Sequence, residues 1–183
     1  MISRTLIALS FLLFLISFPA SAFQKRDHLT PNEVDLVKEN QVLDKRIDVF
    51  IKAAERRLMV INGTAATNAK QLKKDAEKWG ELPAGSRSEL VGDIARILDE
   101  AITNIDDVSS RDERNPLIPK ALRKLAASTT SIMDQLKPVR TEAKSEADIA
   151  SLDSLNEYAQ SIFEAANKLP PEVDKKGKKN EKR

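Results

Sequence analysis

The sequence contains no cysteine and a single histidine among its 183 residues. Without cysteine the chain can form no disulfide, no thiolate nucleophile, no cysteine-ligated metal site and no covalently attached haem. One histidine excludes a metal site built on a histidine pair, and the Glu-x-x-His motif of di-iron helical bundles is absent. We therefore expect neither a metal nor another cofactor, and we expect a hydrophobic core alone to stabilise the fold.

Residues that could carry out a reaction are correspondingly few. His28 lies in a charged stretch before the first predicted helix, and no Gly-x-Ser-x-Gly motif supplies a nucleophilic serine, so a solvent-exposed histidine is favoured. The carboxylates fall mainly on polar helix faces and at helix ends, which favours solvated charges over a catalytic pair. They are Asp44, Asp48, Asp99, Glu100, Asp106, Asp107, Asp148 and Asp153. We expect the protein not to be an enzyme, with a carboxylate-only enzyme as an alternative.

Aromatic residues make up only 4% of the sequence, with one tryptophan and one tyrosine. Trp79 lies beside a loop rich in glycine and proline (residues 80–85), where an exposed ring could stack on a ligand such as a sugar. A single aromatic residue at a helix end more often packs on its neighbours. Trp79 is therefore a candidate interaction residue, with packing as the competing interpretation.

Long apolar runs are also absent, except for one at the start of the chain. Residues 1–22 combine the basic Arg4, an apolar run from Leu6 to Phe18 and a small-x-small sequence that ends at Ala22, which is the layout of a secretory signal peptide. The run is shorter than the roughly 20 residues that a membrane-spanning helix needs, so cleavage after Ala22 is favoured over an uncleaved anchor. We expect export, to the periplasm in a Gram-negative cell and otherwise by secretion, and no transmembrane segment after cleavage.

The rest of the sequence shows helical periodicity. Residues 30–33 (Thr-Pro-Asn-Glu) carry the signals of a helix start, and apolar residues then recur at spacings of three and four, which predicts one long helix over residues 31–61. A break near Asn62-Gly63 is favoured over continuation, because glycine destabilises a helix interior. The lysine-rich segment that follows is predicted to form a weakly packed helix or a loose connection, and its lysines are Lys70, Lys73, Lys74 and Lys78.

Three further amphipathic segments follow the loop at residues 80–85. A capping box at residues 86–89 begins the first, which is followed by a predicted polar turn over 109–114. Asn115-Pro116 opens the second, Pro138 ends or kinks it, and the third stops at Pro170-Pro171. No alternating strand pattern competes with these helices. The sequence therefore predicts an all-α fold, an antiparallel bundle of four main amphipathic helices with a weak extra helix or loose segment after the first.

Charge is nearly balanced overall but unevenly distributed. The last ten residues hold six basic and two acidic side chains, and the predicted domain carries a small net negative charge, so nucleic-acid binding is not expected. We predict a signal peptide over 1–22, a single helical domain over 23–169 and a disordered basic tail over 170–183. The tail is predicted either to contact an unknown protein or an anionic envelope surface, or only to aid solubility. Its candidate residues are Lys175, Lys176, Lys178, Lys179, Lys182 and Arg183.

The start of the first helix also resembles a motif of a known family. Leu29-Thr30-Pro31-Asn32-Glu33 resembles the Leu-Thr-x-x-Gln motif of the periplasmic helical chaperones of the Spy and CpxP kind, with Glu33 in place of glutamine. The resemblance implies a periplasmic chaperone or stress-response protein with a concave cradle, whereas a plain capping box explains the same five residues. We expect a non-catalytic binding or structural protein of the cell envelope, with the chaperone as the alternative.

Overall fold

The computed structural model describes residues 26–171, so the predicted signal peptide and all six candidate residues of the basic tail lie outside the described residues. Within that range 76% of the residues are helical and none lies in a strand, which confirms the all-α prediction. The seven described helices are α1 (Pro31–Glu39), α2 (Leu43–Ile61), α3 (Ala69–Trp79), α4 (Arg87–Arg111), α5 (Leu117–Gln135), α6 (Lys137–Glu142) and α7 (Glu146–Asn167).

Both predicted capping boxes are present and begin α1 and α4. At α1 the Thr30 hydroxyl accepts a hydrogen bond from the Glu33 backbone N–H at 3.3 Å, and the Glu33 carboxylate accepts one from the Thr30 N–H at 2.9 Å. Ser86 and Glu89 form the same reciprocal pair at the start of α4. Each pair satisfies N–H groups that the first helical turn leaves without an intrahelical partner.

The prediction of one continuous helix over residues 31–61 is wrong. α1 ends at Glu39 and α2 begins at Leu43, because the side-chain amide of Asn40 donates to the Leu36 carbonyl at 2.7 Å while the Asn40 backbone leaves the helical conformation (φ −91°, ψ 86°). Asparagine side chains compete for backbone groups in this way and so favour helix ends. The apolar periodicity keeps its phase across the gap, which is why the pattern alone predicted continuity.

The break predicted at Asn62-Gly63 is confirmed. α2 ends at Ile61, and Gly63 has a φ of +64°, a left-handed conformation that glycine adopts without steric cost. The lysine-rich segment that follows forms α3, and none of its residues is buried. α3 is therefore a weakly packed helix.

Two other helix boundaries differ from the sequence prediction. α4 continues to Arg111, so part of the expected turn over 109–114 is helical. α5 ends at Gln135, and Pro138 lies in the first turn of α6, where its missing N–H removes no helical hydrogen bond. The last helix, α7, ends at Asn167, shortly before Pro170.

α2, α4, α5 and α7 are the four main helices, and α4 packs against both α2 and α7. α2 and α4 are antiparallel. Arg46, near the start of α2, donates to the Asn104 side chain at 3.0 Å, whereas Arg57, near the end of α2, faces Asp93 near the start of α4. Large apolar side chains from these helices, among them Phe50 and Ile94, are completely buried in one core.

α2 and α5, in contrast, are parallel where they pack against each other. The Lys120 ammonium lies 2.6 Å from the Asp44 carboxylate, and one turn further along both helices the Lys124 ammonium lies 2.5 Å from that of Asp48. The bundle is therefore not antiparallel at every contact. No helix between Pro31 and Asn167 contains a stretch long and apolar enough to span a membrane.

Candidate functional site

Four charged side chains lie inside the described domain and form what we name the buried charge cluster: Glu33, Arg56, Arg57 and Asp93. Glu33 and Asp93 have no exposed side-chain surface, and the two arginines expose only 1% of theirs. Charged side chains are almost never buried to this extent unless they are paired. The cluster connects the start of α1, the second half of α2 and the start of α4.

Glu33 is held by both arginines of α2. Its Oε1 atom accepts from Arg57 Nη1 at 2.9 Å and from Arg56 Nε at 3.2 Å, and its Oε2 atom accepts from Arg57 Nη2 at 2.8 Å. The same Oε2 atom accepts the Thr30 N–H of the capping box. Two parallel hydrogen bonds between a guanidinium and a carboxylate form the strongest ion-pair geometry available to side chains. Glu33 therefore caps α1 and ties it to α2 at once.

Asp93 is surrounded by guanidinium groups. Arg26 Nη2 donates to its Oδ2 atom at 2.7 Å, Arg96 Nη2 donates to its Oδ1 atom at 2.6 Å, and Arg57 Nε lies 3.9 Å from Oδ2. Burial raises the pKa of Asp93 above its usual value, and the charges of Arg96, Arg26 and Arg57 oppose that rise. Asp93 thereby fastens the segment before α1 to the start of α4.

Arg56 fixes the loop between α3 and α4. Its Nη2 atom lies within hydrogen-bonding distance of the carbonyl oxygens of Trp79 (3.1 Å), Gly80 (3.1 Å) and Glu81 (2.5 Å). Gly80 turns the backbone with φ +65° and ψ −165°, a conformation that is almost confined to glycine. A Cβ atom there would lie 3.1 Å from the Asn32 side chain. Gly80 thus lets the loop present its carbonyl groups to Arg56.

The carboxylate oxygens of the buried charge cluster are already engaged. Each oxygen of Glu33 and of Asp93 accepts at least one hydrogen bond from a guanidinium. A general base or nucleophile must be able to reach the substrate, and these carboxylates face protein groups instead. The arrangement can therefore hold α1, α2, α4 and the α3–α4 loop in position, and it offers no free group for acid–base chemistry.

His28 is paired rather than solvated, which corrects the sequence interpretation. Its Nε2 atom lies 2.7 Å from Glu100 Oε2, and its side chain is 25% exposed. The pair lies at a cavity of about 340 Å³ whose apolar lining includes Leu29, Val34 and Val37. The side chain of His28 therefore attaches the segment before α1 to a carboxylate of α4.

The other carboxylates considered from the sequence lie on three helices, α2, α4 and α7. Within residues 26–171 no group of three histidine, aspartate or glutamate side chains has the spacing of a metal site. Asp44 is nearly buried, and Lys120 lowers its pKa through a hydrogen bond. Asp106 lies beside Asp107, and its pKa is raised by partial burial and by the neighbouring charge.

α3 carries a second set of charges, which we name the lysine face: Lys70, Lys73, Lys74 and Lys78. All four side chains are exposed, and none forms an ion pair within the described part of the chain. The opposite side of α3 faces the domain through the half-buried side chains of Leu72, Asp75 and Trp79. α3 therefore turns its uncompensated charge towards solvent.

Two contacts attach this inner side of α3 to α2. The Lys52 ammonium lies 2.8 Å from the Asp75 carboxylate, and this hydrogen bond lowers the pKa of Asp75. Two cations lie near the Trp79 ring centroid, Lys52 Nζ at 5.9 Å and Arg56 Cζ at 5.7 Å, within the range of cation–π attraction. Trp79 is thus a half-buried packing residue that anchors α3, which agrees with the competing interpretation of the sequence.

Large hydrophobic side chains are rare on the described surface. Val42 and Ile149 are the two exposed ones, at 52% and 48%. An open groove of about 440 Å³ lies between α4 and α7 and is lined mainly by small residues such as Gly92, Ala95 and Ser151. The described surface is therefore polar, and its distinctive feature is the charge of α3.

The buried charge cluster was missed in the sequence, although a signal was present. Arg57 follows Ala53 by four residues, and Asp93 precedes Ile97 by four, so both fall on the apolar stripes of their helices. A charged residue on such a stripe indicates a buried ion pair, which the helical pattern taken as a whole conceals.

Comparison of the chain with models of protein families, with curated proteins and with solved structures finds no match in any of the three. The function must therefore be argued from the residues and their geometry.

Proposed function

We propose that the protein is a non-catalytic binding protein of the cell envelope, exported by the signal peptide predicted over residues 1–22. The observation that supports binding is the position of α3, a helix that buries no residue and directs four exposed lysines away from the domain. A helix with no share in the core adds little to the stability of the fold, so its charge pattern is best explained by a contact outside the domain.

The buried charge cluster also supports this proposal, because it fixes the position of α3. Arg56 holds the carbonyl groups of residues 79–81, which directly follow the last lysine of α3. The charged groups of the interior thus serve to position a surface helix. A contact surface that is already held in place favours binding, because less conformational entropy is lost when the partner binds.

The proposal is tested by adding the purified exported protein to the envelope fraction of the source cell and measuring the bound fraction by sedimentation. We expect saturable binding, and weaker binding when Lys70, Lys74 and Lys78 are all changed to glutamine. The matched control changes Lys38, Lys45 and Lys137 to glutamine, which removes the same charge from exposed sites paired with neighbouring aspartates. A protein that remains in the supernatant contradicts the proposal.

Export itself is tested by sequencing the N-terminus of the exported protein. We expect it to begin at Phe23, and we expect Ala20→Leu together with Ala22→Leu to block cleavage, because signal peptidase requires small residues at these positions. An exported protein that retains residues 1–22 contradicts the predicted cleavage.

A chaperone would need a different kind of surface. A chaperone cradle must offer apolar contact to an unfolded client, and the described surface exposes Val42 and Ile149 as separate large hydrophobic residues. The Leu-Thr-x-x-Gln resemblance is accounted for by the capping box of α1 and by the ion pair between Glu33 and Arg57. An assay in which the protein prevents aggregation of an unfolded client would favour the chaperone.

A further inference from the structure

We propose that the lysine face of α3 binds the anionic headgroups of a phospholipid bilayer. This inference rests on the proposed binding function and names the partner. It concerns Lys70, Lys73, Lys74 and Lys78 together, and the contact is electrostatic and peripheral.

The first argument is the arrangement of the four lysines on α3. Positions 70, 74 and 78 are separated by four residues, so their side chains follow one another along one side of the helix, and Lys73 lies beside this row. Glu77 is the one acidic residue on the same side. The row therefore presents a net positive, linear surface that can lie flat against a layer of phosphates.

The second argument is that none of the four lysines of the lysine face forms an ion pair, unlike most other lysines of the described domain. Six lysines elsewhere in the described domain each lie within 4 Å of an aspartate carboxylate: Lys38, Lys45, Lys52, Lys120, Lys124 and Lys137. Lys52 neutralises the one aspartate of α3, Asp75, on the inner side of the helix. Among the described residues Lys144 and Lys168 also lack an ion pair, but they are isolated, whereas α3 carries four such lysines whose combined field can attract an external anion.

The third argument concerns the kind of partner. The centres of protein–protein interfaces are depleted of lysine and enriched in aromatic residues and arginine, and the outer side of α3 offers neither. The helix also offers no exposed large apolar residue for insertion into lipid, since Leu72 and Trp79 face the domain. A row of ammonium groups matches a surface of phosphate charges, to which each basic residue adds up to about 1 kcal/mol of binding free energy.

The test is flotation of the purified exported protein with vesicles of phosphatidylcholine alone and of phosphatidylcholine mixed in equal parts with phosphatidylglycerol. We expect binding to the anionic vesicles only. Changing Lys70, Lys74 and Lys78 to glutamine should lower the partition coefficient by about fivefold per lysine, and so by up to roughly a hundredfold. The control triple variant at Lys38, Lys45 and Lys137 should lose far less.

Binding should also fall as salt is raised from about 0.01 M to about 0.1 M, because the Debye length falls from about 30 Å to about 10 Å.

Several results would overturn the inference. If both triple variants lose the same affinity, the lysine face has no special role. If deletion of residues 172–183 abolishes vesicle binding while the α3 variant binds as the wild type does, the tail alone makes the contact. If the protein sediments with the envelope fraction but not with anionic vesicles, or is captured through α3 by an acidic polysaccharide only, the lipid is not the partner and the proposed binding function still stands. Circular dichroism of each variant confirms that it is folded.

Discussion

The buried charge cluster and the lysine face lie close together in the molecule, yet their charges have opposite surroundings. In the cluster, guanidinium and carboxylate groups are removed from water and engage one another and backbone carbonyls. On α3 the ammonium groups are exposed and have no acidic partner in the described domain. Removing a buried partner leaves a charge without compensation, whereas removing an exposed lysine leaves water in its place. The first set should therefore determine stability, and the second should determine binding.

The largest expected effect comes from the centre of the buried charge cluster. Arg57→Met keeps an apolar chain of similar length but leaves Glu33 without its bidentate partner and Asp93 without one of its cations. We expect the free energy of unfolding to fall by about 3–5 kcal/mol, as measured by urea denaturation. Arg114→Ala, at an exposed site, is the control and should change it by less than about 0.5 kcal/mol. A loss below about 1 kcal/mol for Arg57→Met would show that the cluster does not hold the domain together.

Substitutions at two glycines should change the free energy of unfolding by less, and in opposite directions. Gly80 lies in the loop held by Arg56. Gly80→Ala places a Cβ atom in a left-handed backbone conformation and against Asn32, so we expect a loss of about 1–3 kcal/mol. Gly92→Ala lies inside α4, where the new Cβ atom would make an ordinary contact of 3.5 Å with Ser151, so we expect a gain of up to about 1 kcal/mol. Thermal unfolding of both variants measures the difference. Equal effects would contradict the role given to Gly80.

The ion pair between Lys52 and Asp75 connects the two regions and should have a smaller, pH-dependent effect. The pKa of Asp75 is lowered from its usual 3.8, chiefly by the hydrogen bond from Lys52, so the pair contributes stability above pH 3.8 and loses it as the pH falls through the lowered value. Asp75→Asn should cost about 0–1 kcal/mol at neutral pH, because the pair is partly exposed, and the cost should shrink in acid. Hydrogen exchange of α3 amides against pH checks this; a cost that grows in acid would contradict it.

The smallest expected effect on stability belongs to the lysine face itself. The triple change of Lys70, Lys74 and Lys78 to glutamine should alter the free energy of unfolding by less than about 0.5 kcal/mol, because all three side chains are exposed and α3 buries no residue. Each lysine of the control triple variant pairs with an aspartate three residues away. This variant therefore loses three ion pairs and should be at least as strongly affected. Urea denaturation of the two proteins side by side decides this. A marked loss for the α3 variant alone would mean that the lysines serve the fold.

Local signals in the sequence were sufficient for much of the fold. The capping boxes at Thr30 and Ser86 and the break at Gly63 follow from interactions within a few residues, and all three are present. The gap between α1 and α2 was missed because it depends on the side chain of Asn40, which the apolar periodicity does not register. The spacing of apolar residues indicates which face of a helix is buried. It does not indicate whether a side chain competes for a backbone carbonyl group.

The buried charge cluster could be predicted only in part. The positions of Glu33, Arg57 and Asp93 among apolar neighbours indicate that each is buried. Their pairing could not be read from the chain, because Glu33 and Arg57 are 24 residues apart and Arg26 and Asp93 are 67 apart. Which charges meet depends on how three separate elements pack against one another.

The sequence by itself determined that this protein is helical, that it has no cysteine chemistry and that a lysine-rich segment follows a helix break at Gly63. Composition, periodicity and capping are local properties, and they survive in any arrangement of the helices. Only the tertiary structure decided which side of α3 faces solvent, because Lys52, Arg56 and Trp79 must come together before the inner side is fixed. In the described domain six of the eight lysines outside α3 lie near aspartates, whereas the four of α3 are exposed without a partner, and this difference in environment is the basis of the proposed function.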